Sequence, residues 1–310
     1  MIFRTLGKTG LKLSVISFGG SSLGGVFRNI DEGKAIETVF AALDAGINFL
    51  DISPYYGHYK AETVMGKALK QVNRERFILS TKVGRYGSNG TNVFDYSAKK
   101  VRDSVFESME RLNVGYIDLI NVHDIEFSNI DQIINETLPA LNELRSEGLA
   151  GHVGITGLPL ENLRSVVEKA EPGTVDSILT FCHYTLQDQS LLNYMDAFLN
   201  RGIGIINASP LSMGLLSERG APSWHPASER LKKHCRDAAD YCKSKSCRIE
   251  QVAIAYCVNQ PNLTTTIIGT ADPENIRQNV KWALEPLEPE MVRGVQRILE
   301  PVMHETWLNS

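Results

Sequence analysis

Tyr116-Ile117-Asp118-Leu119-Ile120-Asn121-Val122-His123 is a largely apolar run that ends on an ionisable side chain. Its length suits a strand, and its near-continuous apolarity suits one covered on both faces in a parallel sheet. Two other runs end in the same way: Ile47-Asn48-Phe49-Leu50 leads into Asp51, and Arg76-Phe77-Ile78-Leu79-Ser80-Thr81 leads into Lys82. An ionisable group closing an apolar run stands where the sheet stops. In α/β barrels that rim carries the chemistry, because the following loops enclose a pocket there. Singly, each group also fits a bland role, Asp51 and Lys82 as a strand-end ion pair and His123 as a hydrogen-bonded rim histidine. Tyr56, five residues after the aspartate, makes the set harder to dismiss.

The pattern extends outward from these runs. Residues 3–6 and 11–13 flank a glycine-containing turn, which predicts a hairpin plugging one end of a barrel. Strand-like segments stand at residues 15–18, 48–51, 77–81, 116–122, 152–156, 177–182, 204–208 and 265–268. Residues 32–45, 97–112, 130–147, 160–169, 191–199, 231–256 and 273–282 read as helices, with apolar positions such as Ile36, Val39, Phe40 and Leu43 at helical spacing. This α/β alternation predicts a TIM (β/α)8 barrel, a single domain over residues 1–310, with an N-terminal β-hairpin and long loops at the C-terminal face. Gly46, Gly148 and Gly202 close helices shortly before strands, and Asp272-Pro273 fits an N-cap followed by a first-turn proline. The longest irregular stretch, residues 209–228, contains Gly214, Gly220, Pro222 and Pro226, and a loop of that length implies a role at a ligand site.

Composition narrows the partners. A chain of 310 residues with 43% hydrophobic and 22% charged side chains can bury one large core. A formal net charge of -4 and a pI near 6.0 argue against nucleic acid and against an anionic membrane surface. Five cysteines with no CxxC spacing, an odd count, point to reduced thiols and a cytoplasmic location. The N-terminus is interrupted by charge too soon for a signal-peptide core, and no uncharged apolar stretch approaches the roughly 20 residues of a membrane helix. The expected partner is a small molecule. Nothing in the pattern specifies an oligomeric state.

The four rim residues define a chemistry. Tyr56 is the candidate acid/base, since a phenol with a pKa near 10 can exchange a proton with a carbonyl or hydroxyl when a cation lowers that value. Lys82 is the candidate cation, Asp51 would hold it charged and oriented, and His123 would hydrogen-bond the reacting oxygen. The set has no nucleophile with its own base and no metal cage. It suits proton transfer coupled to hydride transfer with an external cofactor carrying the electrons.

The stretch Asn48-Phe49-Leu50-Asp51-Ile52-Ser53-Pro54-Tyr55-Tyr56-Gly57, then Lys82, then Val122-His123-Asp124, resembles the aldo-keto reductase superfamily. The resemblance runs over essentially the whole chain and maps the family's catalytic Asp, Tyr, Lys and His onto Asp51, Tyr56, Lys82 and His123. Further stretches, among them Gly154-Ile155-Thr156-Gly157, Cys182-His183-Tyr184, Ala208-Ser209-Pro210-Leu211 and Trp224-His225-Pro226, are similar to the branch that oxidises L-galactose and related aldoses at C1. The resemblance implies NAD-dependent oxidation of L-galactose to its 1,4-lactone. Alternatives are oxidation of L-fucose or D-arabinose, an NADPH-dependent carbonyl reductase, or a nucleotide-sensing regulatory subunit on the same scaffold. It also implies that Thr156, Ser209, Leu211, Met213 and Gly214 serve the cofactor, the last four near its pyrophosphate. Gly269, Thr270, Asp272, Asn275, Gln278 and Asn279 would approach its adenosine.

Three departures from the family pattern are informative. Relatives that use NADP place a Lys and an Arg around the extra phosphate, where this chain has Gly269 and Asn275. Losing those charge-assisted hydrogen bonds favours NAD over NADP, although Arg277 could swing into the gap. The nicotinamide-stacking aromatic is replaced by Ala208, and the amide that holds the carboxamide falls near Leu179 or Thr180.

Tyr55, His58, Tyr86, Asp124, His183, Trp224 and His225 are the expected sugar-contacting residues. Indole stacks well on a sugar's C–H face, although Trp224 equally suits packing of the loop. Residues 19–25 are glycine-rich after a strand but do not match GxGxxG, and they read as a rim loop. Cys242, Cys247 and His234 fit no standard zinc spacing, so no metal is expected.

Overall fold

In the computed structural model, which describes residues 1–26, 29–88, 91–286 and 288–307, the apolar runs pair side by side until the sheet closes on itself. The barrel strands are Ile16–Gly19 (β1), Phe49–Asp51 (β2), Ile78–Val83 (β3), Ile117–Val122 (β4), Ala150–Thr156 (β5), Ser177–Phe181 (β6), Gly204–Ala208 (β7) and Thr265–Gly269 (β8). All run parallel in chain order, and β8 returns to β1 through the pairs Thr266↔Ile16 and Ile268↔Phe18. The expected (β/α)8 barrel is the observed fold.

The N-terminal hairpin, Phe3–Thr5 with Lys12–Ser14, covers the end of the barrel away from the strand C-termini. Its Leu6 and Leu13 are fully buried and join Phe49, Leu119, Leu179, Ile206 and Ile267 in the apolar filling of the barrel. The hairpin turn fits because Gly7 has no side chain: a Cβ there would lie 2.4 Å from the Gly202 carbonyl oxygen. Inward positions alternate along each strand, so the apolar floor gives way toward the mouth to Asp51, Lys82 and Asn121.

The surrounding helices are Glu32–Asp44 (α1), Lys60–Leu69 (α2), Ala98–Leu112 (α3), Leu138–Ser146 (α4), Leu160–Lys169 (α5), Met195–Leu199 (α6), Glu229–Ser244 (α7), Ile249–Val258 (α8), Pro273–Leu284 (α9) and Pro289–Leu299 (α10). Side-chain caps begin several of them as expected: Ser97 accepts from the Lys100 amide and Asp272 from those of Glu274 and Asn275. The helix expected over residues 130–147 carries a π-helical segment, Ile133–Thr137, before α4. The helical stretch expected over 231–256 is two helices, because the chain turns at Ser246 (φ 56) and the Cys247 amide closes back onto the Cys242 carbonyl.

Two helices escaped the periodicity reading. α2 is buried on most of its surface and carries Gly66, which weakens a helix pattern; that glycine is required because a Cβ would lie 2.0 Å from the Arg111 carbonyl oxygen on α3. α10 starts on Pro289 and packs against α7 in a separate apolar cluster outside the barrel. The hairpin Arg85–Ser88 with Thr91–Phe94 at the mouth was likewise not expected. Among the described residues, no helix is long and apolar enough to cross a membrane.

Candidate active site

Asp51, Tyr56, Lys82 and His123 come from the ends of β2, β3 and β4 and meet in one cavity of about 510 Å3 at the C-terminal mouth. Lys82 is 1% exposed; its Nζ donates to Asp51 Oδ2 at 2.6 Å and to the Ile52 carbonyl at 2.8 Å. Its ammonium lies 5.0 Å from the Tyr56 ring centre, close enough for its charge to pull the phenol pKa down. Asp51 Oδ1 accepts from Ser80 Oγ, whose oxygen accepts from Asn121 Nδ2, so the carboxylate is held on both oxygens. An ion pair this deep survives only because its hydrogen bonds are filled; losing one partner of such a pair typically costs about 3–5 kcal/mol.

Local backbone geometry aims the phenol. The Tyr56 amide closes a turn onto the Ser53 carbonyl, and Gly57 (φ 62) packs against Gly24, where a Cβ would meet the Gly24 carbonyl oxygen at 2.2 Å. Burial opposes the Lys82 charge, yet Asp51 and Tyr56 outweigh it and raise its pKa. For Tyr56, burial pushes the pKa up and outweighs the downward pull of Lys82, with Asp51 adding to the rise. The expected lowering by Lys82 is therefore present but does not win, and the phenol rests protonated. Burial lowers the His123 pKa to about 3, with Asp124 opposing and Lys82 and Arg85 assisting, so this imidazole is neutral.

Arg85 is the main charged residue that sequence reasoning missed. It is 5% exposed, donates to Asp124 Oδ2 at 2.5 Å and to the Tyr55 hydroxyl at 3.0 Å, and lies 4.0 Å from the Tyr55 ring centre. Phe94 and Phe127, stacked at 4.4 Å, flank the same guanidinium. The signal available was a second cation three residues after Lys82, but its aromatic cage comes from three separate segments.

Of the expected sugar-contacting residues, Tyr55, Asp124 and Trp224 line the cavity, whereas four do not. His58 is exposed, with its ring against the backbone of Gly87. Tyr86 is 2% exposed behind the wall, beside Ser104 and Lys100, its phenol pushed up to about 12 by burial. His183 Nδ1 is engaged by Asp188 and Ser190. Both ring nitrogens of His225 are taken, Nε2 by the Ser212 carbonyl and Nδ1 by the Ala227 amide. Phe181, Pro226 and Trp307 line the cavity and were not foreseen.

Thr156, Ser209, Met213 and Gly269 line the cavity as the cofactor reading expects. Leu211 and Gly214 lie outside the lining, on the turn after β7. Thr270, Asp272, Asn275, Gln278 and Asn279 also lie outside it, at the end of β8 and the start of α9. The residues present fit a nicotinamide: an apolar floor of Leu179, Ala208 and Ile267 is rimmed by the hydroxyl-bearing Thr156 and Ser209. Phe181, whose Cα pairs with that of Ala208 across β6 and β7, supplies an aromatic ring beside the position that lacks one. Arg277 is paired with Glu274, and Asp272 caps α9 with its carboxylate.

Residues 15–300 match the sequence model described as Aldo/keto reductase family. The chain is 44% identical over 310 residues to L-galactose dehydrogenase of Arabidopsis thaliana, covering 98% of this chain and 96% of that protein. It is 33% identical to D-arabinose 1-dehydrogenase of Saccharomyces cerevisiae over 86% of this chain and 81% of that one. An aldo-keto reductase of Bacillus halodurans, solved in its holo form, superposes with a TM-score of 0.82 at 27% identity, covering 96% of each chain.

Proposed function

The chain belongs to the aldo/keto reductase family, as an oxidoreductase acting on CH–OH, and from that premise we propose that it oxidises L-galactose at C1 to the 1,4-lactone with NAD. The observation that carries this reading is the Asp51–Lys82 ion pair set beside Tyr56 and opening, with neutral His123, into a cavity walled by aromatic rings and the Asp124 carboxylate. Cyclic sugars offer such a wall both C–H faces and hydroxyls. Bound NAD supplies the acceptor for the C1 hydride. Tyr56 first releases its proton to solvent as a phenolate that Lys82 stabilises, the phenolate takes the proton of the anomeric hydroxyl, and His123 donates to the anomeric oxygen. The products are lactone, NADH and one proton.

NAD is favoured over NADP by charge. Gly269 and Asn275 put no cation at those two positions, Glu274 occupies Arg277, and the Asp272 carboxylate already takes the first amides of α9. A dianionic ribose phosphate there would meet like charge. Converting Asn275→Arg is expected to raise kcat/KM with NADP while leaving the NAD value little changed.

A second reading, carbonyl reduction, is favoured by the raised Tyr56 pKa, since a phenol that stays protonated is a ready proton donor. The deciding experiment is initial-rate nucleotide reduction with L-galactose, L-fucose, D-arabinose and D-galactose, each with NAD or NADP. Selective turnover of L-galactose with NAD supports the proposal. Absence of sugar oxidation alongside aldehyde reduction with NADPH overturns it.

A further inference from the structure

Ser53 stands in the catalytic turn between Asp51 and Tyr56 and is fully buried. Its Oγ lies 3.0 Å from His123 Nδ1 and accepts the Tyr55 amide at 3.1 Å. An amide can only donate, so the serine oxygen is the acceptor in that contact. The single hydroxyl proton then has one hydrogen-bond acceptor among the described residues, which is His123 Nδ1.

We propose that Ser53 is a positioning residue that holds His123 as the tautomer with its proton on Nε2, so that this nitrogen is a donor to the reacting oxygen. A neutral imidazole carries one N–H, and accepting at Nδ1 leaves that proton to Nε2. The other ring nitrogen agrees: Nε2 lies 3.6 Å from Asp124 Oδ2, a carboxylate that attracts an N–H and repels a lone pair. Arg85 holds the same carboxylate oxygen at 2.5 Å, which keeps Asp124 from drawing the imidazole proton fully to itself. The remaining groups around the ring are Lys82, cationic, and Tyr55 and Tyr56, both packed edge-on against it. The opposite tautomer would leave the serine hydroxyl without an acceptor and set two lone pairs toward each other at Nε2.

The inference rests on the reading of His123 as donor at the anomeric oxygen, and its test has a readout independent of turnover. Protein labelled with 15N-histidine is compared as wild type, Ser53→Ala and Ser53→Thr at neutral pH, with the His123 ring signals identified by their loss in His123→Asn. Wild type is expected to show Nε2 protonated and Nδ1 bare. Ser53→Ala is expected to show a mixture of tautomers and a kcat lowered about tenfold, the scale of one net hydrogen bond, with KM little changed. Ser53→Thr, which keeps the hydroxyl, is expected to restore both. A protonated Nδ1 in wild type, ring signals unchanged in Ser53→Ala, or altered tautomers with unaltered kcat would each overturn the proposal. Failure of the aldose reading would show differently, as no sugar turnover by wild type, and the ring signals do not depend on it.

Discussion

At Tyr56 two electrostatic effects oppose each other, and their balance sets how the rate depends on pH. Burial raises the phenol pKa, Lys82 lowers it, and the net direction is upward. The accepting form in oxidation is the phenolate, so kcat for sugar oxidation is expected to climb through the alkaline range, while reduction by the same site declines there. His123, with its pKa lowered to about 3, contributes no inflection between about pH 5 and 8. A pH profile governed by one ionisation near 6.5 would contradict this assignment. Tyr56→Phe removes the transferable proton and is expected to lower kcat by about 10²- to 10⁴-fold, with cofactor affinity measured by fluorescence titration unchanged.

Among the larger elements, the segment following α10 does the most at the site. Gln187 donates to the carbonyls of Val302 and Glu305, both at 2.9 Å, and Asp188 lies between His183 at 3.2 Å and His304 at 3.3 Å. Glu305 accepts from Arg230 at 3.0 Å, which ties the segment to α7. These anchors put Trp307 at the cavity, its ring 4.7 Å from that of His225 in the Trp224 loop. Replacing Trp307→Ala is expected to raise KM for the sugar about three- to tenfold, equivalent to an aromatic contact of roughly 0.5–1.5 kcal/mol, with a smaller change in kcat. Asp188→Ala, which touches no lining residue of the mouth, is expected to move KM in the same direction by loosening the segment.

Across the whole molecule, stability and chemistry are divided between the two ends of one barrel. Leu119 is fully buried among the side chains that fill the interior below the mouth. Leu119→Ala removes that filling and leaves a cavity, at an expected cost of about 2–5 kcal/mol. Denaturant titration would show the lower midpoint, whereas KM for the sugar should stay near the wild-type value because the rim residues keep their strand ends. A mutant that lost sugar affinity in proportion to stability would mean that floor and mouth are coupled more closely than the barrel suggests.

The alternation of strands and helices was legible in the chain because both periodicities are local, and Asp51, Lys82 and His123 were legible because each ends an apolar run. α2 was not, although Lys60, Thr63, Lys67 and Lys70 mark an exposed stripe at helical spacing, because Gly66 interrupts the pattern and more than half of the helix's buried positions are small or polar residues. The sequence by itself therefore determined the barrel and which residues stand at its rim. Only the tertiary structure decided which rim side chains share the cavity. It drew Arg85, Phe181 and Trp307 in from separate segments and turned His58, Tyr86, His183 and His225 to other partners. It also decided that Tyr56 rests protonated, because desolvation depends on every element that closes around a group, and no stretch of neighbouring residues encodes that.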